Sequence, residues 1–211
     1  NKCIESKKPV IIATQMLHTM IEHPRPTRAE VSDIANAVFS STDAIMLSGE
    51  TAYGEYPMEA VKVMSRVAEA NESTLPPDYD RNLVRINNET TAALARVAVR
   101  MTTMLPIKAV VLDTMTGRTA RYLSAFRGGL PVYARCYDTR VMRELALSFG
   151  VIPYYSEKPE SRDEFMKSIP DMLLEQGYRL DDLVLVIGGS FGAARGASFL
   201  EVCRLSDARC D

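Results

Sequence analysis

The chain has 211 residues, of which 46% are hydrophobic and 25% are charged, and its net charge is −2. This length suits one large or two modest domains, and the composition is that of an ordinary globular protein. The small charge gives no electrostatic reason to expect nucleic acid or an acidic membrane surface as a partner, and no apolar run approaches the roughly 20 residues of a membrane span.

The cysteines and the first ten residues predict a cytoplasmic location. None of the cysteines belongs to a C-x-x-C pair, so we interpret them as unpaired thiols in a reducing compartment: Cys3, Cys136, Cys203 and Cys210. The opening NKCIESKKPV has no apolar signal-peptide core. Because the sequence begins with Asn1 rather than Met, we expect it to be part of a longer chain.

Strand and helix patterns alternate over residues 1–73. Residues 9–14, PVIIAT, form a continuous apolar run that predicts a strand buried on both faces. A helical stripe follows from residue 31 to residue 39, then a second buried strand at residues 44–47 and a helix that begins at Pro57. Strands that alternate with helices predict a parallel sheet.

A domain linker is predicted at residues 74–87, TLPPDYDRNLVRIN, where this periodicity stops. The two adjacent prolines, Pro76 and Pro77, exclude a helix from that point of the segment. The alternation of patterns resumes only after the segment, so we predict that it separates two domains.

The second half, residues 88–211, predicts an α/β domain with a mixed, mostly parallel five-stranded sheet. A helix capped by Asn88 comes first. Five strand-like runs follow, at residues 108–112, 132–136, 151–155, 183–187 and 199–205. Helical patterns separate the first four runs. Only a Gly-rich connection joins the last two, and so short a connection favours an antiparallel pair at the edge of the sheet.

Polar side chains follow both strands of the first half. Ser48, Gly49 and Glu50 come after the second strand, and Thr14 and Gln15 come after the first. Ligands of parallel α/β folds bind at the carboxyl ends of the strands. Taken alone, S-G-E-T also fits a turn with a helix cap. Its match with Thr14 and Gln15 on the neighbouring strand favours a ligand site.

Residues 23–30, HPRPTRAE, present two arginines just before a helix. Two prolines stiffen the loop that carries Arg25 and Arg28, and Thr27 or Arg28 is expected near the helix start. Rigid presentation of an arginine suits a phosphate, a carboxylate or a neighbouring subunit. The alternative is a charged surface that serves solubility.

Residues 113–119, DTMTGRT, form a second candidate site, between a predicted strand and a predicted helix. The segment offers three hydroxyls, a residue without a side chain and a cation: Thr114, Thr116, Thr119, Gly117 and Arg118. Together with helix-start amides, these groups predict a phosphate cradle. The alternative is N-capping by the threonines. The segment is not a P-loop, because the G-K-[ST] core is missing.

Several segments resemble one enzyme family, pyruvate kinase. KPVIIATQML, PRPTRAEVSDIANAVF and DAIMLSGETAYGEYP, in this order, closely resemble its seventh and eighth strand regions, contiguously through about residue 73. NETTAALARVAVRM, VLDTMTGRTARYLSAFRGGLPVYA and RELALSFGVIPYY resemble its C-terminal domain more loosely. The resemblance implies a partial (β/α)8 barrel, with its last two βα units at residues 1–73, followed by a regulatory or oligomerisation α/β domain at residues 88–211.

The resemblance also implies a reaction, phosphoryl transfer from phosphoenolpyruvate to ADP, which gives pyruvate and ATP with Mg²⁺ and usually K⁺. Ser48 and Glu50 are then expected at the catalytic rim, and Thr14 at the phosphoenolpyruvate carboxylate. Arg28 is expected to support the active site or a subunit interface. In several relatives the loop that matches residues 114–119 binds an activating sugar phosphate, and the family is usually a homotetramer.

Parts of the family pattern are missing or altered in this sequence. The metal-binding carboxylates, the K⁺ ligands and the catalytic lysine belong to earlier barrel strands, so we expect a C-terminal fragment that is inactive alone. Tyr53 stands where many relatives carry Lys, and GGSFGAARGASFLEV differs from the effector loops of the best-known members. The alternatives to an enzyme fragment are a non-catalytic module that binds a phosphorylated metabolite and a structural oligomerisation domain.

Overall fold

The computed structural model describes residues 1–13, 15–72, 74–78, 80–189 and 196–209. The chain divides into two compact units. Unit 1 consists of Asn1–Ile4 and Lys8–Pro76, and unit 2 consists of Glu5–Lys7 and Pro77–Asp211. The sequence-based boundaries at residues 1–73, 74–87 and 88–211 stay predictions. None of the helices in the described parts of the chain is both long and apolar enough to cross a membrane.

Unit 1 contains a two-stranded parallel sheet and its connecting helices. The elements in chain order are α1 Lys2–Glu5, β1 Ile11–Ile12, a 3-10 helix at His18–Ile21, α2 Arg28–Phe39, β2 Ala44–Ile45, α3 Gly49–Ala52 and α4 Pro57–Glu72. The strands pair with Ile11 opposite Ala44 and Ile12 opposite Ile45. They are shorter than predicted, because the chain turns into loops soon after Ile12 and Ile45. The amide of Met46 still donates to the carbonyl of Ile12, which extends the ladder slightly.

The two long helices of unit 1, α2 and α4, begin where the sequence predicts. Thr27 is the N-cap of α2 and forms a capping box with Glu30. Pro57 is the first residue of α4, where its missing N–H leaves no hydrogen bond unmade. Apolar side chains from both helices and from the 3-10 segment form the core: Met16, Leu17, Met20, Ile34, Ala37, Ala60 and Met64. Burying each of the larger ones contributes about 1.5–3 kcal/mol.

Unit 2 contains the mixed five-stranded sheet. Its elements are α5 Glu89–Met104, β3 Ile107–Thr114, α6 Arg118–Ala125, β4 Val132–Cys136, α7 Thr139–Leu145, β5 Val151–Tyr155, α8 Arg162–Glu175, β6 Leu183–Gly188, β7 Phe199–Arg204 and a 3-10 turn at Asp207–Arg209. The strand order is β5-β4-β3-β6-β7. The first four strands are parallel and β7 is antiparallel to β6, which confirms the predicted sheet.

The core of unit 2 follows from the alternation of side chains along its central strands. Ala109 and Val111 of β3 point to one face of the sheet and are fully buried there. Three residues of α8, spaced by four, pack in the same cluster: Phe165, Ile169 and Leu173. The predicted cap of α5 is also confirmed, because the amide of Thr91 donates to Asn88 Oδ1 at 2.9 Å.

Candidate functional site

The carboxyl ends of β1 and β2 lie at the same edge of the parallel pair, so the loops that follow them are neighbours. Ser48 is the N-cap of α3, but its side chain makes no capping hydrogen bond and the residue is exposed. Gln15 is also exposed and adopts a left-handed backbone with φ of 47°. Thr14 lies outside the described residues. The hydroxyl of Ser48 is therefore presented at the strand end rather than used as a helix cap.

Glu50 is a buried carboxylate with both oxygens in hydrogen bonds to backbone amides. Its residue is only 2% exposed. The amide of Leu17 donates to Glu50 Oε1 at 3.0 Å, and the amide of Ser48 donates to Glu50 Oε2 at 2.8 Å. Burial by itself raises the pKa of Glu50. The amides of Glu50, Ser48 and Leu17, with a smaller contribution from His18, outweigh it and hold the pKa below its usual value.

Glu30 has a similar arrangement at the start of α2. The amide of Thr19 donates to Glu30 Oε1 at 2.7 Å, and the amide of Thr27 donates to Glu30 Oε2 at 2.8 Å. The hydroxyl of Thr27 donates to Oε2 at 2.9 Å. Burial again raises the pKa, but hydrogen bonds from Thr19 and Thr27 lower it below the usual value. Sequence analysis missed this second carboxylate, although the capping-box spacing T-x-x-E was the available signal.

The segment after β1 and the loop after β2 approach each other closely at Gly54. A Cβ added at Gly54 would lie 2.6 Å from the carbonyl oxygen of Glu50 and 3.2 Å from the Cα of Ile21. The amide of Glu55 donates to the carbonyl of Ile21 at 2.8 Å. The close approach therefore needs a residue without a side chain at this position.

The remaining predicted residues of unit 1 lie at its surface. Arg28 is the first residue of α2 and is exposed. Its predicted role at an interface or as active-site support stays a prediction. Tyr53 is 74% exposed, and a Cβ added at Gly49 would lie 2.6 Å from its hydroxyl oxygen. The tyrosine thus covers the glycine of the S-G-E-T segment.

The predicted phosphate loop of unit 2 is held in its conformation by two hydrogen bonds, one within the loop and one from Arg121. The amide of Gly117 donates to Thr114 Oγ1 at 2.9 Å, and Arg121 Nη1 donates to the carbonyl of Thr116 at 2.8 Å. Thr114 and Thr119 are buried, whereas Thr116 is exposed.

Helix α6 starts at Arg118, inside the predicted loop, and its N-cap is Gly117. Gly117 has a left-handed backbone, with φ of 74°, and no side chain that could cap the helix. The hydroxyl oxygen of Thr114 accepts the amide of Gly117, which is the N-cap residue. This hydrogen bond therefore does not involve an amide of the first turn of α6.

Beside this loop, the carboxyl ends of the central strands carry polar groups that sequence analysis did not assign to a site. The amide of Gly189 donates to Asp113 Oδ1 at 3.2 Å, and Tyr137 Oη donates to Asp113 Oδ2 at 3.4 Å. Burial raises the pKa of Tyr137 most, and the negative charge of Asp113 raises it further.

A second polar group at this edge of the sheet is Arg135 on β4. Its guanidinium donates to the hydroxyls of Ser168 at 2.6 Å and Ser156 at 2.7 Å. A charged residue within an apolar strand was the signal for Arg135.

The side chains that the structure describes do not form a metal site. Among them, no group of three or more His, Cys, Asp and Glu is placed to hold a metal ion. Three carboxylates are buried, those of Glu30, Glu50 and Asp113, and each has both of its oxygens in hydrogen bonds to the protein itself. These carboxylates are therefore not arranged as ligands of a metal ion.

Comparison with protein families covers both units. Residues 1–61 match the family model described as pyruvate kinase, barrel domain. Residues 92–203 match the model described as pyruvate kinase, alpha/beta domain. The chain belongs to the pyruvate kinase family. This establishes the predicted family and the predicted fold, a piece of the barrel followed by an α/β domain.

Individual relatives agree with this assignment. The pyruvate kinase of Borreliella burgdorferi is 44% identical over 217 aligned residues, which cover 98% of this chain and 44% of that protein. The pyruvate kinase of Clostridium acetobutylicum is 46% identical over 193 residues, 89% of this chain and 40% of that protein. The chain thus spans less than half the length of either pyruvate kinase.

Solved structures of pyruvate kinase share the fold. A pyruvate kinase from Cryptosporidium parvum has a TM-score of 0.87 and 32% identity, and the match covers 97% of this chain and 41% of that one. The Cryptosporidium parvum pyruvate kinase in complex with ADP has a TM-score of 0.83 and 32% identity, with 97% and 42% of the two chains covered.

Proposed function

We propose that the full-length protein that contains this chain transfers a phosphoryl group from phosphoenolpyruvate to ADP and so forms pyruvate and ATP. The observation that carries the proposal is the match to the family's barrel domain and α/β domain in a single chain. The exposed Ser48 hydroxyl at the end of β2 supports it, because ligands of such barrels bind at the carboxyl ends of the strands. A related structure described as a complex with ADP supports the nucleotide substrate.

The residues of this chain take positioning and binding roles in the proposed reaction. Phosphoryl transfer depends mainly on alignment of the reactants and on neutralisation of charge, so an exposed hydroxyl at the rim is useful without becoming a covalent nucleophile. We propose that Ser48 acts in catalysis and that Thr14 binds the phosphoenolpyruvate carboxylate. Glu50 is predicted as catalytic by the family resemblance. Arg28 supports the site or a subunit interface.

We propose that the complete enzyme uses Mg²⁺ and K⁺, with ligands from other parts of the barrel. When bound, the cations would neutralise the charge of the transferring phosphoryl group. The (β/α)8 barrel needs eight strands and roughly 250 residues, whereas unit 1 contributes the pair β1 and β2 from the described residues. The 211 residues alone are accordingly proposed to be inactive.

A coupled assay tests the proposed function. The full-length protein should form pyruvate from phosphoenolpyruvate, ADP, Mg²⁺ and K⁺, whereas the purified 211-residue chain should give only background. A full-length protein without turnover would contradict the proposal and favour a non-catalytic module that binds a phosphorylated metabolite or serves oligomerisation. A second contrary result is pyruvate formation by the 211-residue chain after pyruvate kinase of the expression host has been removed. That result would contradict the proposal that the metal ligands and the other catalytic groups come from other barrel strands.

A second proposed role belongs to the loop of residues 114–119. We propose that it binds the phosphate of an effector through its hydroxyls, its backbone and one cation: Thr114, Thr116, Gly117, Arg118 and Thr119. The N-cap of α6 is Gly117, which has no side chain to occupy the helix start, and helix N-termini are favourable places for an anion. We further propose a homo-oligomeric enzyme, a tetramer by analogy with the family, in the cytoplasm.

A further inference from the structure

Two carboxylates from different helices bind the backbone between β1 and α2. The amide of Leu17 donates to Glu50 on α3, and the amide of Thr19 donates to Glu30 on α2. The partners are 33 residues apart in the first bond and 11 residues apart in the second. The segment of residues 15–21 is therefore attached at two nearby points to two separate elements.

Each carboxylate also accepts a hydrogen bond from the N-cap residue of its own helix. The second oxygen of Glu50 accepts the amide of Ser48 at 2.8 Å, and the second oxygen of Glu30 accepts the amide of Thr27 at 2.8 Å. A side chain that only capped its own helix would not reach residues 15–21. These two side chains bridge that segment to the loop after β2 and to the start of α2.

The chemistry of the bridges requires an ionised carboxylate. Glu50 is 2% exposed and Glu30 is 8% exposed, and a buried charge is stable only when its hydrogen bonds are satisfied. A glutamine in either place would offer one oxygen and one N–H₂ group, so one of the two backbone amides would face another donor. An equal-sized neutral replacement should therefore break one end of each bridge.

We propose that Glu30 and Glu50 are positioning residues that hold residues 15–21 in a fixed place relative to Ser48. This inference rests on the proposed function, since it assigns the segment next to Thr14 to one side of the phosphoenolpyruvate site and Ser48 to the other. Both oxygens of Glu50 are bonded to amides within a buried site, so Glu50 acts through these backbone contacts rather than on the substrate. The family-based prediction of a catalytic Glu50 differs from this role, and the two have different consequences.

The first test uses the wild-type full-length protein and hydrogen exchange resolved to single amides. The amides of Leu17 and Thr19 should be protected, because each donates to a buried carboxylate. Unprotected exchange at both amides overturns the proposal. Because this result needs no substitution, the test remains decisive even if a variant fails to fold. This measurement does not depend on catalytic activity, and an inactive protein would contradict the proposed function alone.

The second test compares Glu50→Gln and Glu30→Gln with Glu22→Gln, an exposed glutamate next to the 3-10 helix. A lost hydrogen bond to a charged group corresponds to about ten- to hundredfold in an equilibrium constant. Exchange at Leu17 or at Ser48 should rise at least about tenfold in Glu50→Gln, and exchange at Thr19 or at Thr27 should rise at least about tenfold in Glu30→Gln, because a glutamine keeps one oxygen acceptor and loses the other. Glu22→Gln should match the wild type. Unchanged protection in both test variants overturns the proposal.

The third test separates positioning from direct catalysis and from simple loss of folded protein. A displaced segment should raise KM for phosphoenolpyruvate as well as lower kcat, whereas partial unfolding lowers kcat and leaves KM unchanged. The pH dependence of kcat in the variants should have the same apparent pKa values as in the wild type, because a positioning carboxylate transfers no proton to the substrate. If Glu50→Gln loses a limb of the pH profile of kcat while the amides of Leu17 and Ser48 stay protected, Glu50 is a catalytic group and the proposal is overturned.

Discussion

Glu50 accepts a hydrogen bond from the backbone amide of Leu17, at 3.0 Å between residues 33 positions apart. The bond joins the loop after β2 to the segment after β1 inside the protein, where water does not compete for either partner. The hydrogen bonds of Glu50 favour its ionised form, and a group of this kind makes folding depend on pH.

We predict that Glu50 stabilises the fold at neutral pH and ceases to do so in acid. Its folded pKa lies below the unfolded value near 4.5, so its contribution is complete above that value and is lost as pH falls through the folded pKa. At pH 7, Glu50→Gln should reduce the free energy of unfolding by about 1.5–3 kcal/mol. Urea unfolding of both proteins should show this difference shrinking as the pH falls below about 4.5. A difference that stays constant with pH would contradict an ionised Glu50.

Substitution of the rim hydroxyls should lower catalytic efficiency. In the full-length enzyme, Ser48→Ala and Thr14→Ala should each lower kcat/KM by about 1–3 kcal/mol of transition-state stabilisation, the scale of one polar contact to a charged ligand. Steady-state kinetics at several phosphoenolpyruvate concentrations measures this. Tyr53→Phe is the control, because no role is assigned to its exposed hydroxyl. Wild-type kinetics in both alanine variants would remove Ser48 and Thr14 from the site.

The loop of residues 114–119 should bind phosphate in the 211-residue chain itself. A ligand present at about 100 times its Kd adds about 2.7 kcal/mol of stability, which thermal melting with sugar bisphosphates or inorganic phosphate would detect. The double substitution Arg118→Ala with Thr119→Ala should abolish the shift. If no phosphorylated ligand shifts the melting temperature at millimolar concentration, the loop is only the start of a helix.

Gly117→Ala should destabilise unit 2 for two separate reasons. Its backbone has φ of 74°, which costs a residue with a side chain about 1–2 kcal/mol, and an added Cβ would lie 3.1 Å from Leu145 Cδ2. Gly177→Ala is the matched control, because φ is 88° there and no atom lies within 4 Å of an added Cβ. Chemical unfolding should show a larger loss for Gly117→Ala. Equal losses would mean that only the backbone conformation matters.

The 211-residue chain should expose an apolar surface on unit 1. A cavity of about 440 Å³ near β2 and α4 is lined mainly by apolar side chains, including Met46 and Val61. Met58 and Val61 on α4 are 63% and 50% exposed. Large exposed apolar patches bind dyes and other chains, so the chain should bind a hydrophobic dye and self-associate in sedimentation experiments. Met58→Lys with Val61→Lys should reduce both effects. A monomer that binds no dye would contradict this description of the surface.

The sequence alone predicted the alternation of strands and helices in both units and the mixed, mostly parallel sheet of unit 2. Apolar runs and helical stripes predicted the elements, and the short Gly-rich connection predicted that β7 runs antiparallel to β6, which the structure confirms. Local chemistry also set the helix starts at Thr27, Pro57 and Asn88. These features depend on neighbours a few positions away, so they can be read from a single stretch of sequence.

Only the tertiary structure showed what Glu50 and Glu30 bind. The capping-box spacing indicates that Glu30 returns to Thr27, but no local pattern shows that it also accepts the amide of Thr19. The motif likewise places Glu50 beside Ser48 without showing that it reaches Leu17. A charged side chain in a strand-end motif resembles a catalytic group in sequence. Its burial and its partners depend on which backbone amides the fold brings within 3 Å, and that is decided by packing between residues far apart in the chain.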